Sequence, residues 1–264
     1  MSGLELRGLQ VSYRRRGLPE LRAVDGVDLD VAPGEVVGLV GESGCGKSTL
    51  ARAVCGLERP TAGSITFDGD AVEPLGLRRR PARLARIQMV FQNPNASLNP
   101  RRRVGNQIED ARAIHPAGHE HAPSIAALLA DVGLDAGVAG RYPHEFSGGQ
   151  RQRLAIARAM AAGPRLLIGD EPIASLDASL QAQVARLLRD VAVGSGAGLL
   201  FISHDLSIVR TIADRVAVMR AGRIVEEGPT EQVWTAPQDA YTRRLIAAIP
   251  VADGLGRLPE VDLG

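Results

Sequence analysis

Gly41-Glu42-Ser43-Gly44-Cys45-Gly46-Lys47-Ser48-Thr49 stands between an apolar run, Val36-Val37-Gly38-Leu39-Val40, and Leu50-Ala51-Arg52-Ala53-Val54, which reads as helix. Strand, glycine loop and helix in that order are the setting in which G-x-x-x-x-G-K-[ST] forms a phosphate-binding loop. Glycine tolerates positive φ and close approach, so successive N–H groups can converge on one anion. The helix beginning at Lys47 adds the positive end of its dipole. On this reading Lys47 reaches the β- and γ-phosphates of a nucleotide, and the Ser48 hydroxyl sits on Mg²⁺. The competing reading is a plain glycine-rich turn before a helix. Lys47 is the only lysine in a chain with 31 basic residues, which argues against a stray surface lysine.

A chain of 264 residues can bury a full core as one large or two small domains. Aromatics make up only 3%, so Leu, Val, Ile and Ala must build that core. A formal net charge of +1 gives no reason to expect nucleic acid as a partner, or attraction to an anionic membrane. The triplets Arg14-Arg15-Arg16, Arg78-Arg79-Arg80 and Arg101-Arg102-Arg103 read as solvated loops or helix faces. Cys45 and Cys55 form neither a disulfide framework nor a metal-ligand spacing, which fits a reducing compartment. Cys45 reads as a small spacer in the loop rather than a nucleophile. No apolar run approaches 18 residues and the N-terminus lacks a signal segment, so a cytosol-facing protein is expected.

In chain order, Leu4 to Val11 alternates as a half-buried strand, followed by Tyr13. An aromatic there can stack on an adenine ring or simply pack. Ala23 to Val31 is a second alternating run, and Pro33-Gly34-Glu35 turns into the loop's strand. Gly63 to Phe67 and Ile87 to Phe91 read as strands joined by an Arg-rich helical link. From Asn93 to about Ala139 the strand signal fades into short helical patterns, Val104 to Ile114 and Ser124 to Val132, punctuated by Pro94, Pro100, Pro116 and Pro123. This predicts a helical insertion in an α/β domain. Ser147 is an N-cap with Gln150 three residues on, a capping-box spacing, and opens a helix to about Ala162. Leu166 to Gly169 is a short buried strand ending at Asp170-Glu171-Pro172, and Leu180 to Val191 an amphipathic helix. Leu199 to Ile202 is another buried strand before Ser203-His204-Asp205. Arg215 to Met219 and Arg223 to Glu227 read as a hairpin about Ala221-Gly222. Helices over Glu231 to Trp234 and Ala240 to Ala248 follow, then a mobile tail, Val251 to Gly264.

Asp170 closes an apolar strand, where a parallel sheet presents its ligand crevice. A carboxylate there can hold the Mg²⁺ that Ser48 binds, directly or through water. Glu171, pointing to another side, is placed to polarise or deprotonate the water that attacks the γ-phosphate. An Asp-Glu pair alone reads as a surface turn; the loop upstream and the apolar strand reverse that. Gln92 can touch Mg²⁺ and sense an adjoining segment, though alone it is a weak signal. His204 can bind a γ-phosphate oxygen or orient Glu171, against the commoner structural role for such a histidine. Ser147-Gly148-Gly149-Gln150 is a second anion-binding design, small residues at a helix N-terminus. Two such designs and one phosphate loop make sense if the second closes over a nucleotide held by another copy.

From Ser2 to about Pro250 the chain resembles the nucleotide-binding subunits of ABC transporters. The motifs that carry the resemblance are Tyr13 (A-loop), Gly41 to Thr49 (Walker A), Gln92 (Q-loop), Ser147 to Gln150 (signature), Leu166 to Asp170 with Glu171 (Walker B and catalytic glutamate), Ser175-Leu176-Asp177 (D-loop) and His204 (H-loop). Met89 to Pro94, Ser97-Leu98-Asn99-Pro100 and the tail with Pro237, Tyr241-Thr242-Arg243 and Ala248-Ile249-Pro250 resemble the importers of dipeptides, oligopeptides and nickel. The resemblance implies an α/β P-loop NTPase with a mostly parallel core sheet, an N-terminal antiparallel β portion and a helical subdomain over about 93–161. It implies a nucleotide-binding domain over 1–230 with a C-terminal helical extension and tail over 231–264. ATP and Mg²⁺ are the implied ligands, with Glu171 and His204 catalytic and Asp177 at the dimer's nucleotide site. The implied partners are a second such subunit, identical or paralogous, two transmembrane permeases and, indirectly, an extracytoplasmic solute-binding protein. The implied place is the cytoplasmic face of the membrane, peripheral through the permeases. No cysteine follows Cys55, so the iron–sulfur cluster of some partners in such systems is excluded here. Ala174-Ser175 inverts the Ser-Ala order common before Leu-Asp in these relatives. The alternative class is an ABC-type ATPase of a cytosolic complex, such as phosphonate degradation or DNA repair. A GTPase or kinase is disfavoured by the signature helix.

Overall fold

The computed structural model describes residues 3–14, 17, 19–76, 81–93, 97–115 and 117–249. Of the positions singled out above, Ser2, Arg15, Arg16, Arg78-Arg79-Arg80, Pro94, Pro116, Pro250 and the tail 251–264 lie outside them. The elements run β1 (Leu4–Tyr13), β2 (Leu21–Val31), β3 (Val36–Val40), α1 (Lys47–Val54), β4 (Ala62–Phe67), β5 (Asp70–Ala71) and β6 (Ile87–Phe91). Then come α2 (Val104–Arg112), α3 (Ile125–Asp131), α4 (Gly148–Ala161), β7 (Leu166–Asp170), α5 (Ala178–Gly194) and β8 (Gly198–Ser203). The last are α6 (Leu206–Ile212), β9 (Arg215–Arg220), β10 (Arg223–Pro229), α7 (Thr230–Thr235) and α8 (Ala240–Ala247).

β3, β7 and β8 are buried along their whole length, the signature of strands covered on both faces. They form the middle of a six-stranded sheet in the order β10-β9-β3-β8-β7-β6, parallel except for the β10 edge. The period of two then sorts their side chains. Val37 and Leu39 of β3 join Ile168, Leu200 and Ile202 in one apolar cluster, with Leu50 and Val54 of α1. Val36 and Val40 join Leu167, Leu199 and Phe201 in another, with Leu154 of α4 and Val184 and Leu188 of α5. Gly38 has no side chain because a Cβ there would come within 2.3 Å of Val209 on α6.

The first cluster is closed by a second sheet, antiparallel, in the order β2-β1-β4-β5. Its first strand does not alternate cleanly. Gly8, at φ 54, lies where the register shifts between Leu6 and Leu9, so Leu4, Leu6, Leu9 and Val11 all turn inward. Arg215 of β9 locks the two sheets together. Its guanidinium donates to Glu35 at 2.9 Å, to Asp30 of β2 at 3.0 Å, and to Glu227 of β10.

Between β6 and β7 the described residues carry helices and no strand, as the proline-punctuated stretch predicts. The Arg-rich link before β6 is a short 3-10 helix, Ala82–Arg86, where it is described. α7 and α8 pack back on the α/β core, with Val233 and Tyr241 in the same cluster as Phe201. Among the described residues no helix is long and apolar enough to cross a membrane.

Candidate functional site

The loop after β3 owes its shape to two glycines. Gly41 and Gly46 have φ 152 and φ 113. A Cβ would stand 2.1 Å from the Met219 carbonyl oxygen at the first and 1.9 Å from the Ala23 carbonyl oxygen at the second. The loop thus lies directly on the backbone of β9 and β2. The β9–β10 turn holds it there: Gly222 N–H donates to Cys45 O at 2.9 Å. Gly46 is the N-cap of α1 and supplies no capping side chain. The free amides of that first turn suit an anion. Both cysteines are buried, and no disulfide joins them.

Lys47 is 4% exposed, and its ammonium donates to Gly41 O at 2.7 Å and Glu42 O at 2.9 Å. No described carboxylate lies within ion-pair distance of this buried cation, an arrangement that an incoming phosphate would complete. Beside it Ser48 Oγ donates to Asp170 Oδ1 at 2.8 Å, across 122 residues of sequence. Asp170 is 7% exposed. Burial pushes its carboxyl above the usual range, and the Ser48 hydrogen bond and Arg52 only partly offset this. A buried lysine and a buried aspartate, linked through Ser48, thus share one site at the strands' C-terminal ends without a direct ion pair between them among the described residues.

Glu171 takes φ 47, the left-handed region, costly for a residue with a side chain. Its N–H donates to Ile202 O at 3.0 Å, tying the end of β7 to β8. Its carboxylate then meets His204 Nδ1 at 3.3 Å. The pair stands on the same rim as Asp170, with His204 more than half exposed.

The other residues singled out lie around this centre. Tyr13 closes β1 and packs, partly buried, on the cluster under the loop. Gln92 is exposed just after β6, and its carbonyl accepts Ser175 Oγ at 3.5 Å, so Ser175 joins two motif segments. Asp177 is the exposed N-cap of α5. Ser147 caps α4 in a full capping box: its Oγ accepts Gln150 N–H at 3.3 Å and its N–H donates to Gln150 Oε1 at 3.0 Å. Among the described residues no hydrogen bond or ion pair joins Ser147–Gln150 to Gly41–Thr49. One chain brings Lys47, Ser48, Asp170, Glu171 and His204 together and leaves its signature segment elsewhere.

Sequence reasoning assigned no role here to Tyr241. Its hydroxyl oxygen accepts the loop's Glu42 N–H at 3.1 Å, 199 residues away, with Arg220 over the ring. A tyrosine in a chain so poor in aromatics was the available signal.

The family profile described as ABC transporter matches residues 24–174. A putative peptide import ATP-binding protein of Brucella ovis is 46% identical over 252 residues, 95% of this chain and 79% of that protein. The glutathione import ATP-binding protein GsiA of Salmonella choleraesuis is 46% identical over 258 residues, covering 95% of this chain and 41% of its own length. Among solved structures, cbiO1 of Clostridium perfringens, part of the ABC transporter complex cbiONQ, superposes with TM-score 0.73 at 27% identity, over 88% of this chain and 90% of that one. The ATP-binding cassette MJ0796, in a dimeric post-hydrolysis state bound to ADP and Pi, does so with TM-score 0.70 at 27% identity, over 86% of this chain and 98% of that one. With its phosphate loop, its Asp170–Glu171–His204 rim and its separate signature helix, this chain belongs to the ABC transporter family as an ATP-binding, ATP-hydrolysing subunit.

Proposed function

We propose that the chain powers an importer of peptides or a related small solute, two such subunits closing around two ATP molecules and opening after hydrolysis. The observation that carries this is the grouping of buried Lys47, which no described carboxylate pairs, with the Ser48–Asp170 hydrogen bond and the Glu171–His204 pair on one rim. The names of the peptide- and glutathione-importing relatives support the solute class. The dimeric state of MJ0796 supports closure between copies. Residues 1–230 make up the nucleotide-binding domain and 231–264 an extension. Access to the membrane runs through permeases, docked where the helical subdomain meets Gln92. The alternative of an ATPase in a cytosolic complex lacks a comparable supporting observation.

In this reading the loop amides and Lys47 hold the phosphates, and Tyr13 stacks on the base. Ser48 and Asp170, with Gln92 beyond them, offer the hard oxygen donors that Mg²⁺ prefers. Mg²⁺ supplies charge neutralisation on the phosphate oxygens. Glu171 takes a proton from the attacking water, and His204, hydrogen-bonded to it, holds the carboxylate in place. Ser147 to Gln150 of the partner subunit close over the γ-phosphate, and Asp177 lies at that seam. Exchanging Glu171→Gln keeps the size and removes the base. ATP turnover should fall by about 10²–10⁴-fold with ATP binding retained, and the protein should sediment as a dimer in ATP. Unchanged turnover in that variant would remove Glu171 from the mechanism.

A further inference from the structure

The Gly41–Glu42 peptide is held from both edges. Its N–H donates to the Tyr241 hydroxyl at 3.1 Å, and its C=O accepts Lys47 Nζ at 2.7 Å. In a trans peptide these two groups lie in one plane and point opposite ways. Tyr241 and the loop lysine therefore clamp a single flat unit between them. Gly41 precedes that unit and has the freedom to let it turn over. Something outside the loop must choose its orientation, and Tyr241 is the only described side chain hydrogen-bonded to it apart from Lys47.

Tyr241 is held as a fixed point. It is 4% exposed on α8, whose N-cap Asp239 accepts the Tyr241 N–H at 2.7 Å. Glu226 of β10 accepts the N–H groups of Gln238 at 2.7 Å and Asp239 at 3.0 Å, which anchors the start of the helix. The Arg220 guanidinium lies 5.0 Å over the ring. A phenylalanine would fill the same space, so the hydroxyl, aimed at the loop, is the group that packing alone does not account for.

We propose that Tyr241 is a positioning residue of the ATP site. Its hydroxyl keeps the Gly41 carbonyl turned toward Lys47 and so sets where the ammonium waits for the phosphates. The C-terminal extension thereby becomes part of the nucleotide site. The inference rests on the ATP-binding reading above and adds a residue outside every nucleotide-site motif named in the sequence.

Tyr241→Phe in the full chain keeps the ring and the cation–π contact and deletes only the oxygen. With Lys47 less preorganised, the KM for ATP should rise about five-fold, the scale of one neutral hydrogen bond, with kcat nearly unchanged. The melting temperature without nucleotide should barely move. A second measurement is open because Lys47 is the chain's only lysine. Its acetylation by an amine-reactive ester, followed by mass spectrometry, reports on this one seat and should run several-fold faster in Tyr241→Phe. An unchanged KM with unchanged Lys47 acetylation would overturn the proposal and leave the ATPase reading intact. A KM shift that appears only with a large drop in melting temperature would also overturn it. A wild-type chain that failed to bind ATP would overturn both.

Discussion

Asp170 shows what the site costs. Its carboxyl is buried, held above its usual pKa range chiefly by burial, and accepts a hydrogen bond from Ser48. Asp170→Asn keeps an acceptor for Ser48 and removes the buried charge. The nucleotide-free, metal-free variant should melt at a higher temperature than the wild type at neutral pH, while its Mg²⁺-dependent ATP turnover collapses. Melting curves in chelator and a phosphate-release assay check the two halves. Gly46 lies at the opposite extreme, a position where no side chain fits. Gly46→Ala adds about 1–2 kcal/mol of left-handed backbone strain, besides the overlap with the Ala23 carbonyl. ATP binding by calorimetry should be lost while the circular dichroism spectrum stays α/β. Gly46 and Lys47 were legible because their chemistry is local, written in consecutive residues. Tyr241 was not, since its partner lies 199 residues away and no pattern in either segment announces the other.

At the scale of elements, long or buried segments were readable and short ones were not. β3, β7 and β8 read as strands because a covered parallel sheet demands unbroken apolar runs. α4 read from its capping box, Ser147 to Gln150. α6 escaped: seven residues give too few turns for a period, and its cap, Asp205, was absorbed into the segment after β8. The bulge at Gly8 escaped because its signal is a broken alternation. The Arg215 cluster, which ties β2, β9 and β10 to the turn before β3, also depends on contacts far apart in sequence. Burial alone would push the Glu35 carboxyl up, but hydrogen bonds from Arg215 and the Ala32 N–H leave it below its usual range. A carboxylate depressed in the folded state stabilises above its unfolded pKa, and that stability is lost as pH falls through the folded value. Glu35→Gln should therefore be less stable than wild type at pH 7. The gap should narrow once the pH drops below about 4.3, the ordinary glutamate value. Urea denaturation across that range checks it.

For the whole molecule the main fact is a separation. Lys47 and Ser48, Asp170 and Glu171, and His204 converge from three places in the sequence, while Ser147 to Gln150 cap a helix with no bond to them among the described residues. The order of motifs made the family legible, since a signature helix has no use in a chain that completes its own site. The solute was not legible, because nothing on this chain touches it in the proposed importer. The most direct test follows ATP turnover per chain of the purified protein as it is diluted, beside Ser147→Arg. The account predicts a rate that falls away on dilution as dimers dissociate, with Ser147→Arg near background at every concentration. A rate independent of concentration, and equal in the two proteins, would contradict it.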